Sequence, residues 1–157
     1  MHSQLAAGTR VVFFPIDLAP VQPYTRELQR AGIEVICQPL GAMDVGLRLA
    51  TVLTEIDMVW ICRPEVAERF QPLLRRFPNL EIVYDTIDLH FVRKRRQAEL
   101  TGGVAGADWG TDRIREIACA RSADATITVT ETEREVLESF AIAPIYVVPT
   151  VHSRRVT

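Results

Sequence analysis

Short apolar runs alternate with segments of helical period along most of the chain, and this alternation constrains the fold more than any other feature. Strands that alternate with helices form parallel βαβ units with right-handed crossovers. The sequence therefore predicts a single Rossmann-like α/β domain over residues 1–157, with a doubly wound, mostly parallel sheet of about six strands. The predicted strands are Arg10–Ile16, Ile33–Cys37, Asp57–Cys62, Leu80–Tyr84, Ala125–Val129 and Pro144–Val148.

The predicted helices fill the segments between these strands, and two of them begin with a capping signal. Asp44 precedes a helical stripe and is placed to cap it. Thr130 and Glu133 have the spacing of a capping box. The predicted helices are Pro23–Ala31, Val45–Ile56, a helix that Pro64 opens, Leu89–Leu100, Thr111–Ser122 and a helix from Thr130 to Phe140.

Composition excludes several classes of protein. A hydrophobic fraction of 48% suffices for one core, and a formal net charge of −2 offers no footprint for nucleic acid. The three cysteines have no metal-ligand spacing, and an odd number fits no closed disulfide framework, which favours a reduced setting. Residues 1–9 are expected to form a flexible N-terminus without a signal peptide, and no apolar run approaches the ~20 residues that span a bilayer. We expect a cytoplasmic protein that is at most peripheral to a membrane.

Polar residues directly follow the predicted strands. In open α/β sheets, ligands bind beyond the carboxyl ends of the strands, so these residues are the candidates for a binding site. They are Asp17, Arg63, the segment from Asp85 to His90, Thr130, Thr150 and His152.

The segment Tyr84–His90 places two carboxylates and an imidazole in one strand-to-helix turn. Asp85, Asp88 and His90 are the candidate catalytic residues, because a general base must accept a proton from a hydroxyl group. Each has a structural alternative. Asp88 is placed to cap the following helix, Asp85 to form turn hydrogen bonds, and His90 to pack partly or face solvent.

Arg63, Asp17 and Thr130 are the candidate substrate-binding residues. A guanidinium at a helix N-terminus suits an anionic ligand, but Arg63 could instead pair with Asp85 on the neighbouring strand. The basic run Arg93–Arg96 is typical of a solvated helix face, with contact to a phosphate or an anionic lipid surface as the alternative.

Several motifs of known chemistry do not occur in the sequence. Without Gly-x-Gly-x-x-Gly after the first strand, without a P-loop and without metal-ligand clusters, we predict neither a cofactor nor a metal. A receiver-like domain would need a second acidic residue beside Asp17 and a lysine where Thr130 stands, so that class is disfavoured.

The segment Tyr84–His90, with Arg93 and Arg96 after it and Cys62–Arg69 before it, resembles a bacterial branch of glycosyltransferase family 4. Ala120–Arg134 and Val147–His152 are similar to later segments of that family, so the resemblance covers nearly the whole chain. Thr150 departs from the family, which usually has asparagine there.

The resemblance implies the N-terminal domain of a GT-B enzyme, in which two Rossmann-like domains enclose the active site. The N-terminal domain chiefly binds the acceptor, a glycan or glycolipid, and the C-terminal domain holds the nucleotide sugar. Asp85, Asp88 and His90 would then face the cleft, with Arg63 lining it. No donor-binding half follows Thr157, so we expect a chain that is not catalytically complete alone and that works with a donor-binding partner domain.

Family members usually begin with one more strand, which lies between the strands matching Arg10–Ile16 and Asp57–Cys62. Without it, we expect these two strands to pair directly in a flavodoxin-like order, or a second chain to fill the position in a homodimer. The alternative function is a non-enzymatic binding or assembly module with a flavodoxin-like fold.

Overall fold

Helices and strands alternate along residues 2–37, 44–102 and 109–149, which are the residues that the computed structural model describes. The helices there are α1 (His2–Ala6), α2 (Tyr24–Arg30), α3 (Val45–Leu53), α4 (Pro64–Leu74), α5 (His90–Leu100), α6 (Trp109–Arg121) and α7 (Glu131–Glu138). The strands are β1 (Val12–Phe13), β2 (Glu34–Val35), β3 (Met58–Cys62), β4 (Glu81–Asp85), β5 (Ala125–Thr128) and β6 (Ile145–Val147). Every strand pair is parallel, which confirms the predicted Rossmann-like α/β class and the number of strands.

The chain divides into two compact units, Met1–Thr54 and Glu55–Thr157. In the first unit, β1 and β2 form a sheet of two strands, each only two residues long. The first predicted strand is shortened because a turn closes at its end, where the Leu18 N–H donates to the Pro15 carbonyl and Leu18 has a φ of 57°. Residues 1–9, which we expected to be flexible, contain the short helix α1.

The second unit contains a four-stranded sheet in the order β3-β4-β5-β6. The six strands therefore lie in two sheets, and the expected pairing of the first strand with the third is not among the strand pairs of the described residues. Because the four strands follow in sequence order, right-handed crossovers place the connecting helices on one face of this sheet. Ile82 and Tyr84 are fully buried, whereas Val83, Ala125 and Ile127 form an apolar cluster on the other face.

Both predicted N-cap residues are confirmed, but the capping box at Thr130 is only half formed, because the Glu133 carboxylate accepts from the Val129 and Leu89 N–H groups. The Asp44 carboxylate accepts a hydrogen bond from the Leu47 N–H at 2.9 Å at the start of α3. The Thr130 hydroxyl accepts one from the Glu133 N–H at 3.2 Å at the start of α7. These bonds satisfy amide groups that have no partner within the helix itself.

Candidate functional site

The polar residues that follow β3 and β4 meet at one edge of the four-stranded sheet. Cys62 is in register with Asp85, and the Arg63 N–H donates to the Asp85 carbonyl at 3.3 Å. The turn from β4 into α5 begins at this same edge and carries Asp88 and His90. Parallel strands end together, so the fold gathers these side chains as the sequence leads one to expect.

Two residues at this edge have unfavourable backbone conformations. Arg63 has a φ of 72° and Ile87 a φ of 61°, and neither is a glycine. The Asp88 N–H donates to the Thr86 carbonyl at 2.7 Å, so Ile87 is the central residue of a γ-turn of the rarer, strained form. Such conformations cost about 1–3 kcal/mol each and cluster at ligand sites, which supports a functional reading of this edge.

Asp85 is held by two neutral donors. One carboxylate oxygen accepts a hydrogen bond from the Ile87 N–H at 2.8 Å, and the other accepts one from the Trp60 indole N–H at 2.9 Å. The predicted turn bond is thus present. Trp60 was not among the predicted site residues. It stands two residues before the strand partner of Asp85 and on the same face, but this register is set by the folded sheet and has no signal in the sequence.

Asp88 does not cap α5, so the capping prediction for this residue is wrong. Its carboxylate instead lies 3.1 Å from the His90 Nε2 and 2.8 Å from the Arg93 guanidinium. The N-cap position belongs to Leu89, whose side chain makes no capping bond. Asp88 is free for these contacts because other carboxylates satisfy the first amides of α5.

Those carboxylates are Glu116 of α6 and Glu133 of α7. Glu133 accepts from the Leu89 N–H at 3.0 Å, while the two oxygens of Glu116 accept from the His90 and Phe91 N–H groups at 2.9 and 3.1 Å. Glu116 is fully buried, and this burial raises the pKa of its carboxyl group above the ordinary value, although the two amide bonds act in the opposite direction. The N-terminus of α5 is therefore filled by the protein's own carboxylates and is closed to an anionic ligand.

His90 lies between two carboxylates. Its Nδ1 is 3.5 Å from Glu116, and its Nε2 faces Asp88, while 21% of the side chain is exposed. The ring thus lies with Nδ1 toward the buried Glu116 and Nε2 toward the partly exposed Asp88. Glu116 had no recognisable signal in the sequence, because one acidic residue within a helix is ordinarily solvent-facing.

The three predicted substrate-binding residues have different local environments. Arg63 is exposed and forms no ion pair with Asp85 or with any other side chain in the described part of the chain. The Thr130 hydroxyl is the cap of α7. Asp17 belongs to the first unit, where its carboxylate accepts from the Ala19 N–H at 2.9 Å in a local turn. Thr150 and His152 lie outside the described residues.

Most of the basic run on α5 is neutralised locally. Arg93 pairs with Asp88, Lys94 with Asp112, and Arg95 with Glu99 at 3.6 Å. Arg96 has no such partner in the residues that the structure describes. It lines an open groove of about 420 Å³ together with Asp88, Leu89, Val92, Leu100 and Glu133.

The described residues contain no cluster of three or more His, Cys, Asp or Glu side chains that could hold a metal ion. Within the same ranges, no helix is both long and apolar enough to cross a membrane.

Fold and site together define a Rossmann-like parallel α/β protein with a polar, locally strained edge after β3 and β4. No protein-family model matches the chain, and a search of curated proteins finds no match either.

Proposed function

We propose that this chain is the acceptor-side domain of a sugar-nucleotide-dependent glycosyltransferase of the GT-B type, and that it is not catalytically complete alone. The observation that carries the proposal is the position of Asp85, Asp88 and His90 in one turn at the carboxyl end of β4. Arg63 adds a cation at the end of the neighbouring strand. Such an edge is where α/β sheets bind their ligands.

Asp85 is the residue that we assign to the acceptor hydroxyl. Its two hydrogen-bond donors, the Trp60 indole and the Ile87 amide, are uncharged and leave further lone pairs on both carboxylate oxygens. Both oxygens of Asp88 are engaged, by His90 and by Arg93. We therefore assign Asp88 to positioning His90 rather than to direct proton transfer.

The nucleotide sugar belongs, in this proposal, to a second Rossmann-like domain. We accordingly expect this chain to bind nucleoside diphosphates only weakly, with a Kd of about 1 mM or more by isothermal titration calorimetry. Tight, stoichiometric binding of a nucleoside diphosphate would contradict the assignment of the nucleotide sugar to a second domain.

Acceptor binding is tested with a panel of alkyl and aryl glycosides and the backbone amide spectrum of the ¹⁵N-labelled protein. We expect shifts in the amide signals of Arg63 and of residues 85–90, and we expect Asp85→Asn to abolish them. The asparagine oxygen can still accept from the Ile87 amide, so the turn is retained. Glu81→Gln, at the other end of β4, is the matched control and should bind as the wild type does.

Two results would overturn the assignment. In the first, no glycoside shifts these signals. In the second, Asp85→Asn shows the same shifts as the wild type.

The alternative is a non-enzymatic binding or assembly module. It is favoured by the exposure of Met58 and Trp60, two large apolar side chains on β3. Glycoside binding that depends on Asp85 distinguishes the two functions, because it is expected of an acceptor-binding domain and not of an assembly module.

A further inference from the structure

The outer edge of β3 is unpaired in the part of the chain that the structure describes. At the two ends of its ladder with β4, the Glu81 N–H donates to the Asp57 carbonyl and the Arg63 N–H to the Asp85 carbonyl. Peptide groups alternate in direction along a strand, so the odd-numbered residues from 57 to 63 bond to β4. The N–H and C=O groups of Met58, Trp60 and Cys62 therefore point outward.

This edge lacks the usual protection against pairing. Natural edge strands are short, or carry a charge, a proline or a bulge. β3 has five residues, Met58–Cys62, with neither charge nor proline among them. β6, at the opposite edge of the sheet, has only three residues and lies between Pro144 and Pro149. The contrast singles out β3 as the edge that accepts another strand.

The residues around β3 are complementary to themselves in an antiparallel arrangement. A two-fold axis at Trp60 places Met58 opposite Cys62 of the other copy and Trp60 opposite its own equivalent, which pairs all the outward peptide groups. The same register brings Asp57 close to Arg63 of the other copy at both ends of the strand, where the chain turns at Arg63 with a φ of 72°. Both side chains are exposed, and neither has an ion-pair partner in the described ranges.

We infer that β3 pairs antiparallel with β3 of a second copy of this chain, in the register centred on Trp60 and flanked by two Asp57–Arg63 ion pairs. The pairing covers the Met58 and Trp60 side chains, which are 47% and 43% exposed in the single chain. Closed two-fold dimers are also the commonest symmetric assembly. The inference does not depend on the proposed function. The dimer is tested by its molecular mass, whereas acceptor binding is tested by shifts in the amide signals.

A charge swap tests the interface and its register together. We expect the wild type to sediment as a dimer at about 100 µM, and Asp57→Arg or Arg63→Asp alone to raise the dimer Kd at least ~10-fold, because each variant opposes like charges at both ends. The double variant should restore the wild-type Kd. Tyr146→Lys, on the opposite edge strand, is the control and should leave the Kd unchanged.

A disulfide provides a second measurement that does not depend on those variants folding well. Directly opposite residues in a hydrogen-bonded antiparallel pair have Cα atoms about 5.5 Å apart, which is within disulfide range. Met58→Cys should therefore form a covalent dimer through the native Cys62 on mild oxidation, and adding Cys62→Ser should abolish it. A monomeric wild type, a double swap that fails to restore the dimer, or cross-linking that persists without Cys62 would each overturn the inference.

Discussion

Glu116 shows how one buried side chain can support a candidate site without touching a ligand. Its carboxylate is fully buried, accepts hydrogen bonds from the first two amides of α5 and contacts the His90 ring. Desolvation disfavours its charged form, and this raises its pKa. The Glu116 carboxyl group therefore links the His90 side chain to the N-terminus of α5.

Replacing Glu116 by glutamine should change how stability depends on pH. Because the folded pKa of Glu116 is raised above the ordinary 4.5, its stabilising effect is present below that value and is lost as the pH rises through the folded pKa. Glu116→Gln has no such proton to lose. The free energy of unfolding of the wild type minus that of Glu116→Gln should therefore fall as the pH rises above 4.5, as measured by urea titration.

Glu135→Gln is the matched control, because Glu135 lies exposed on α7. Its difference from the wild type is the reference against which the pH dependence of Glu116→Gln is compared. A difference for Glu116→Gln with the same pH dependence as this reference would show that the buried carboxyl group is not destabilised by ionisation.

At the scale of elements, the turn from β4 into α5 departs from the usual design of a strand-to-helix connection. A β-branched residue, Ile87, has the left-handed conformation that glycine or asparagine normally adopts. The Asp85 carboxylate and the Thr86 carbonyl hold this turn through the amides of Ile87 and Asp88. The turn is strained locally and is maintained by its hydrogen bonds.

Glycine should be tolerated at this turn but not in a helix. Ile87→Gly removes backbone strain of about 1–3 kcal/mol, which offsets the lost side-chain contacts of a residue already 42% exposed. Ile114→Gly, in the interior of α6 at a position 69% exposed, should lower the free energy of unfolding by about 1 kcal/mol. Urea titration of both variants checks the contrast, and an Ile87→Gly protein that is destabilised as much as Ile114→Gly would contradict it.

At the scale of the whole molecule, the two units differ in how their sheets are built. β1 and β2 contribute two residues each, whereas β5 is buried at every position and lies between two other strands. Regions with few buried contacts open with a smaller free energy than the core. We therefore expect the units to differ in local stability.

Hydrogen exchange measures this difference directly. The Glu34 and Ile36 amides bond to carbonyls of residues 11 and 13, and the Thr126 amide bonds to the Pro144 carbonyl. Under conditions in which the exchange rate reports the free energy of opening, we expect the Thr126 amide to exchange at least ~100-fold more slowly than the Glu34 and Ile36 amides. Equal protection would indicate that the chain opens as one cooperative unit.

The sequence by itself determined the type and order of the elements that follow α1, and the edge at which polar residues gather. Helical periodicity and capping residues such as Asp44 and Thr130 are local signals, and local signals can be recognised without knowledge of the fold. The predicted helix Leu89–Leu100 differs from α5 by a single residue at its start. The glycosyltransferase assignment rests on resemblance and stays a proposal.

Only the tertiary structure decided which groups occupy that edge. The bonds from Leu89 to Glu133 and from His90 to Glu116 join residues 44 and 26 positions apart, and the bond from Trp60 to Asp85 spans 25. It also decided that the strands lie in two sheets, and that Asp88 pairs with His90 instead of capping α5. Periodicity carries no information about partners at such separations, because packing sets them when the helices dock on the sheet.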